Sequence, residues 1–249
     1  VGDMQRFPIS YGKSNVLHSV GYQNVNMKKH LCQYSIIEPL YKASPISIEA
    51  DAPTSISNYY TYENALLTQI LLNESVINKT VFEVYELSEH DKQMVLEKEG
   101  VPVGDLPVSS SAKAAYREWL TGNEEFPVSE EVLAHLDNLE ENDEQPRITD
   151  FDTLYQNNNE WEEFCIKHKM NPVEVWWQLK NANILPPQRT QTLAFELLTD
   201  VIRTVLAKDD DGVIPLGDKL GEERLAIRIE REMMERGYSP AQFNQVCQL

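Results

Sequence analysis

The stretch Ala194-Phe195-Glu196-Leu197-Leu198-Thr199-Asp200-Val201-Ile202-Arg203-Thr204-Val205 decides the fold class. Its apolar residues Ala194, Leu197, Leu198, Val201, Ile202 and Val205 recur at i, i+3, i+4, i+7, i+8 and i+11, one broad stripe at helical spacing. Downstream, Asp209-Asp210-Asp211-Gly212 stops the helix. A further helix is expected from about Asp218 to Arg236, with Leu225, Ile229 and Met233 four apart and Gly237 as its stop. Its Arg228–Glu232 and Glu232–Arg236 pairs would each add a few tenths of a kcal/mol. Ser239-Pro240 caps a last short helix.

Upstream, Asn171-Pro172 combines a cap residue with proline at the first helical position, where the missing N–H costs nothing. Thr149 with Asp152 predicts a helix running to about Lys169. Shorter helices are expected from Ser129 to about Leu139 and from the Ser109–Ser111 cap to Leu120. Ser88 with Asp91 opens another that ends at Gly100, and Leu66, Ile70, Ile77, Val81 and Val84 mark one from about Tyr59 to Glu86. Val101 to Pro107 is a connector by its proline and glycine content. In residues 1–58, Gly2, Gly12, Gly21, Pro8, Pro39, Pro45 and Pro53 punctuate short β-branched or aromatic pieces, so loops with short extended segments are expected. The fold class is therefore mainly α, a multi-helix bundle behind an irregular, short-stranded N-terminal segment. Boundaries are expected at 1–58, 59–145 and 146–249, the second at the polar run Glu140 to Pro146.

The 249 residues suffice for a real core, and hydrophobic and charged fractions of 41% and 25% exclude wholesale disorder. Cys32, Cys165 and Cys247 are far apart and odd in number, neither a disulfide framework nor a zinc motif, which suits a reducing, cytoplasmic setting. No apolar run has the length of a membrane span, so no membrane partner is expected. The opening Val1-Gly2-Asp3 lacks an initiator Met and a signal segment, pointing to a piece of a longer chain.

The net charge of −18 is uneven: residues 1–50 carry five basic against three acidic groups, leaving −20 for the rest. Phosphate contacts need cations, so any DNA contact belongs to Arg6, Lys13, Lys28, Lys29 and His30. Asn123 to Glu144 holds nine acidic residues and no Lys or Arg, the pattern of a solvated helix and linker.

The remaining motifs carry no assignable chemistry. Asp209 to Gly212 misses the EF-hand register, because counting from Gly212 puts Ala207 at position 1 and Asp218 at position 12. Asn171-Pro172-Val173 lacks the second proline and the aromatic of a base-holding Asn-Pro-Pro-Tyr loop. Trp176 and Trp177 are adjacent, so one packs and its neighbour stays partly exposed. His18, His30, His90, His135 and His168 show no metal-ligand spacing, and GxSxG, Walker A and GxGxxG motifs are missing. No catalytic, cofactor-binding or metal-binding residue is assigned.

Several stretches nevertheless resemble one family. Gly2-Asp3-Met4-Gln5-Arg6-Phe7-Pro8-Ile9, Ile77 to Leu87, Val101 to Val108, Asn171 to Trp176, Ile184-Leu185-Pro186-Pro187 and Asp209 to Leu216 are similar to segments of the large adenine-specific DNA methyltransferases of BREX phage-defence systems. These PglX-like proteins are akin to type IIG restriction–modification enzymes. The resemblance implies a C-terminal scaffold or interaction region of an enzyme that methylates adenine N6 at a specific DNA site. It implies S-adenosylmethionine as the parent's cofactor, with the glycine motif and Asn-Pro-Pro-Tyr loop outside this chain. Implied partners are the rest of the methyltransferase, DNA through it, and other defence-system proteins. Charge alone supports a second reading, a free-standing acidic interaction module or DNA mimic.

Overall fold

The computed structural model describes residues 14–249 and carries ten α-helices. They are α1 (Asn15–Leu31), α2 (Ala52–Val84), α3 (Glu89–Glu99), α4 (Ser110–Gly122), α5 (Glu130–Asn138), α6 (Trp161–His168), α7 (Pro172–Ala182), α8 (Pro187–Lys208), α9 (Leu225–Glu235) and α10 (Pro240–Gln248). Among the described residues there is no sheet, only isolated bridges at Val108–Glu141 and Lys219–Glu222. The mainly helical class expected from residues 194–205 holds, and along α8 Leu193, Ala194, Leu197, Val201 and Val205 are buried.

Helix starts follow local chemistry closely. The hydroxyls of Ser88, Ser109, Ser129 and Ser239 each accept the backbone N–H three residues on, satisfying a donor with no partner inside the helix. At Ser239 the bond is reciprocated by Gln242 in a full capping box. Asn171 Oδ1 accepts from Val173 N at 2.9 Å, opening α7 at Pro172. Gly100 and Gly237 end α3 and α9 with φ of 90° and 95°, backbone that a Cβ would strain.

Four expectations need correction. Residues 15–31 form a helix, not loops with short strands. Its buried residues are Val20, Asn24 and Met27, at helical spacing but with an asparagine in the middle, which apolar periodicity does not register. Tertiary bonds secure it: Asn24 Nδ2 donates to Ile70 O at 3.3 Å and accepts through Oδ1 from Asn73 Nδ2 at 2.7 Å. Second, α2 begins at Ala52, so the expected boundary at 58 falls within a helix; Pro53 sits in its first turn, where proline is tolerated. Third, residues 149–160 make a 3₁₀ turn and a loop with positive φ at Tyr155, Asn157 and Asn158, delaying α6 to Trp161. Asparagine enters left-handed backbone more readily than other side chains, so this run favours the loop. Fourth, α9 starts at Leu225, because Gly217 and Gly221 (φ 82°) break the preceding stretch.

The chain forms two compact units built from interleaved pieces. Among the described residues, the first comprises 14–28, Ala65–Ile148 and Trp161–Asn181; the second Lys29–Asn64, Thr149–Glu160 and Ala182–Leu249. Large buried side chains of the first are Tyr116, Phe164, Trp176 and Leu72. The second packs Ile46, Ile56, Leu193, Leu197, Val201, Met233 and Val246 together.

Candidate functional site

Of the proposed DNA-contact residues, Arg6 and Lys13 lie outside the described residues. Lys28, Lys29 and His30 occupy the last turn of α1. Both lysines are exposed, and Lys28 Nζ pairs with Glu74 at 3.4 Å. His30 is half-buried, with its ring 5.3 Å from Tyr34 and 5.9 Å from Tyr62 and its Nε2 3.3 Å from the Tyr62 hydroxyl. Lys29 therefore remains as a solvent-facing cation, Lys28 has an acidic neighbour, and His30 belongs to an aromatic cluster.

A buried ion pair of the second unit joins Glu63 on α2 to Arg189 on α8. Arg189 grips both carboxylate oxygens, with Nε 3.1 Å from Oε2, and the Tyr59 hydroxyl donates to Oε1 at 3.1 Å. The guanidinium lies 5.8 Å from the centre of the Tyr155 ring, and the Tyr155 hydroxyl donates to Asn64 Oδ1 at 2.6 Å. Burial, reinforced by the Glu63 charge, raises the pKa of both Tyr59 and Tyr155 above the ordinary phenol range. These phenols stay protonated near neutral pH and act as hydrogen-bond donors.

In the first unit Glu174 is only 1% exposed, and its carboxylate is satisfied without a cation. Oε2 accepts from Ser109 N at 3.0 Å and from its hydroxyl at 2.6 Å, while Oε1 accepts from Gln178 Nε2 at 3.0 Å. The same Ser109 hydroxyl caps α4, so Glu174 ties α7 to the start of that helix.

A second cluster surrounds His135. Its Nε2 is 3.0 Å from Gly104 O and its Nδ1 is 3.1 Å from Lys79 Nζ. A carbonyl can only accept and an ammonium can only donate, which selects the neutral tautomer protonated at Nε2. Burial, and then the Lys79 charge, lowers the pKa of His135 from 6.5. Lys79 also pairs with Asp105 at 3.0 Å. His135 and Lys79 thus hold Gly104 and Asp105 of the Val101–Val108 connector.

Two open grooves lie in the second unit. One, about 360 Å³, is lined by Lys208, Arg228, Glu232 and Glu235 among others. Its charges are mutually engaged: Lys208 with Glu232 and Glu235, and Arg228 with Asp209. The expected Arg228–Glu232 pair is thus replaced by Arg228–Asp209, while Glu232–Arg236 forms at 3.0 Å. The other, about 510 Å³, is lined by tyrosines. Sequence reasoning missed Glu63, Arg189 and Glu174. The available signal was a carboxylate on the apolar face of a predicted helix, Glu63 amid Tyr59, Tyr60 and Leu66, and Glu174 amid Val173, Val175 and Trp176. Neither signal distinguishes a tie from a catalytic acid. No family model, curated protein or solved structure matches this chain.

Proposed function

We propose that this chain is a helical support and docking region of a site-specific adenine-N6 DNA methyltransferase of the BREX phage-defence type. On this reading S-adenosylmethionine and the reacting adenine are handled by other parts of a longer cytoplasmic polypeptide. One observation carries it: the resembling motifs that fall on described residues end or begin helices. Ile77 to Leu87 closes α2, Val101 to Val108 joins α3 to α4, and Asn171-Pro172 opens α7. Pro186-Pro187 starts α8, and Asp209 to Leu216 follows its end. Motifs at helix boundaries shape a fold through capping and turn chemistry, which supports the scaffold reading. The buried Glu63, Glu174 and His135 fit it, since each bonds to a structural partner. Lys29 and Lys28, with Arg6 and Lys13, are the cations this reading assigns to DNA contact.

The test is transfer of a labelled methyl group to DNA by this chain alone and by the longer polypeptide that contains it. Activity is expected only in the longer form. Methylation by the chain alone, or none by the longer form with cofactor and a varied DNA library, would overturn the assignment.

The exposed carboxylates between Glu124 and Glu144 favour a second reading, an acidic interaction surface. Asp137, Glu141 and Asp143 are engaged by Arg117, Lys113 and Ser110. A DNA mimic would release a basic DNA-binding partner by about 0.5 M salt, where exposed charges are screened within a few ångströms.

A further inference from the structure

The groove of about 510 Å³ in the second unit is lined by aromatic side chains, of which Tyr59 also belongs to the buried core. Its wall is aromatic: Tyr34, Tyr59 and Tyr62 line it, the rings of Tyr34 and Tyr59 meet edge-on at 5.2 Å, and Pro45 adds a further apolar surface. Glu49 and Asn58, both exposed, also line it. Glu49 has no ion-pair partner among the described residues, and it is the groove's one charged lining residue. The groove is open, so it suits an extended chain lying along it more than an enclosed small molecule.

These features select an occupant. The geometry points to a proline-rich peptide segment carrying a lysine or arginine as the ligand of this groove. A polyproline II helix has three residues per turn and no internal hydrogen bonds, so its prolines fit clefts between aromatic rings at little entropic cost. Glu49 supplies the counter-charge for a basic residue of the ligand, and the Asn58 amide can meet its backbone carbonyls and N–H groups. A nucleic-acid strand, which also stacks on aromatic rings, is disfavoured by charge. Glu49 would face its phosphates, and the positive end of α2 beside the groove is already taken by Asp51. The Asp51 carboxylate accepts from Thr54 N at 2.9 Å, a bond that lowers its pKa.

The inference stands apart from the methyltransferase reading, because it requires only this groove. The probe is a fluorescein-labelled peptide of about ten residues, proline in PPII register with one arginine, titrated with the whole chain by fluorescence anisotropy. Saturable binding is expected at sub-millimolar concentration. Glu49→Lys, an exposed substitution that should leave the fold intact, is expected to weaken it about tenfold. A peptide with glutamate in place of arginine should bind Glu49→Lys better than the unaltered chain. Tyr62→Ala, accepted only if its far-UV circular dichroism and melting remain cooperative, should weaken binding by a similar factor. The inference is overturned if the arginine peptide fails to saturate, if its affinity is indifferent to Glu49→Lys, or if an oligothymidylate competes for the groove more tightly than the peptide.

Discussion

Glu174 in the first unit and Glu63 in the second are both glutamates held inside a helical unit, 1% and 6% exposed, yet they are satisfied in opposite ways. Glu174 receives neutral donors, the Ser109 N–H and hydroxyl and the Gln178 amide. Glu63 receives a guanidinium and a phenol. The cation makes Glu63 and Arg189 mutually dependent, because either alone would be a buried, uncompensated charge. Glu174 depends on oxygen atoms more than on its charge. A buried carboxylate is therefore no evidence of catalysis in this protein; both are ties between helices distant in sequence.

The largest expected effect tests the ionic half of that contrast. Arg189→Met leaves Glu63 buried without its counter-charge and should cost about 3–5 kcal/mol in urea-induced unfolding. Adding Glu63→Leu to Arg189→Met should recover most of the loss, since an apolar pair of similar volume replaces the ion pair. Failure to recover would mean that Arg189 contributes chiefly through packing on Tyr155. The neutral half predicts that Glu174→Leu, which strands the Ser109 donors, costs about 1–3 kcal/mol. Glu174→Gln should cost less than Glu63→Gln, measured in the same denaturant series; equal costs would erase the distinction.

A third change sharpens the comparison from the backbone side of the first unit. A Cβ on Gly104 would sit 2.6 Å from Ser75 Oγ and 2.8 Å from the Leu71 carbonyl oxygen. Ser75 Oγ can rotate away, but the carbonyl belongs to α2, so Gly104→Ala should destabilise by about 1–3 kcal/mol. The smallest effect is pH dependence at His135. Its folded pKa lies below 6.5, so the unfolded chain binds the proton more readily. The stabilisation is complete above about pH 6.5 and is lost as the pH falls through the folded value. His135→Gln should flatten that part of the stability profile, and an unchanged slope between pH 7 and 5 would show that another group carries it.

How far the fold was legible depended on how local its causes were. The serine caps at 88, 109, 129 and 239, the Asn171-Pro172 start and the glycine stops at 100 and 237 act within three or four residues, and all were readable. Helix α1 was not, because Asn24 is buried only through bonds to Ile70 and Asn73, which sequence distance conceals. The candidate DNA-contact set was readable only as charge; that His30 packs between tyrosines depends on Tyr62, 32 positions away. The aromatic groove likewise combines Tyr34 with Tyr59 and Tyr62 across the bend that precedes α2.

What the amino-acid order determined by itself is the helical class, most helix ends and the uneven acidic charge, since periodicity, capping and net charge are properties of neighbouring residues. Tertiary structure alone decided which carboxylates are buried, which cation answers Glu63, and which rings share a groove. Those outcomes depend on residues brought together across long stretches of chain, and on burial that makes an unmet charge costly.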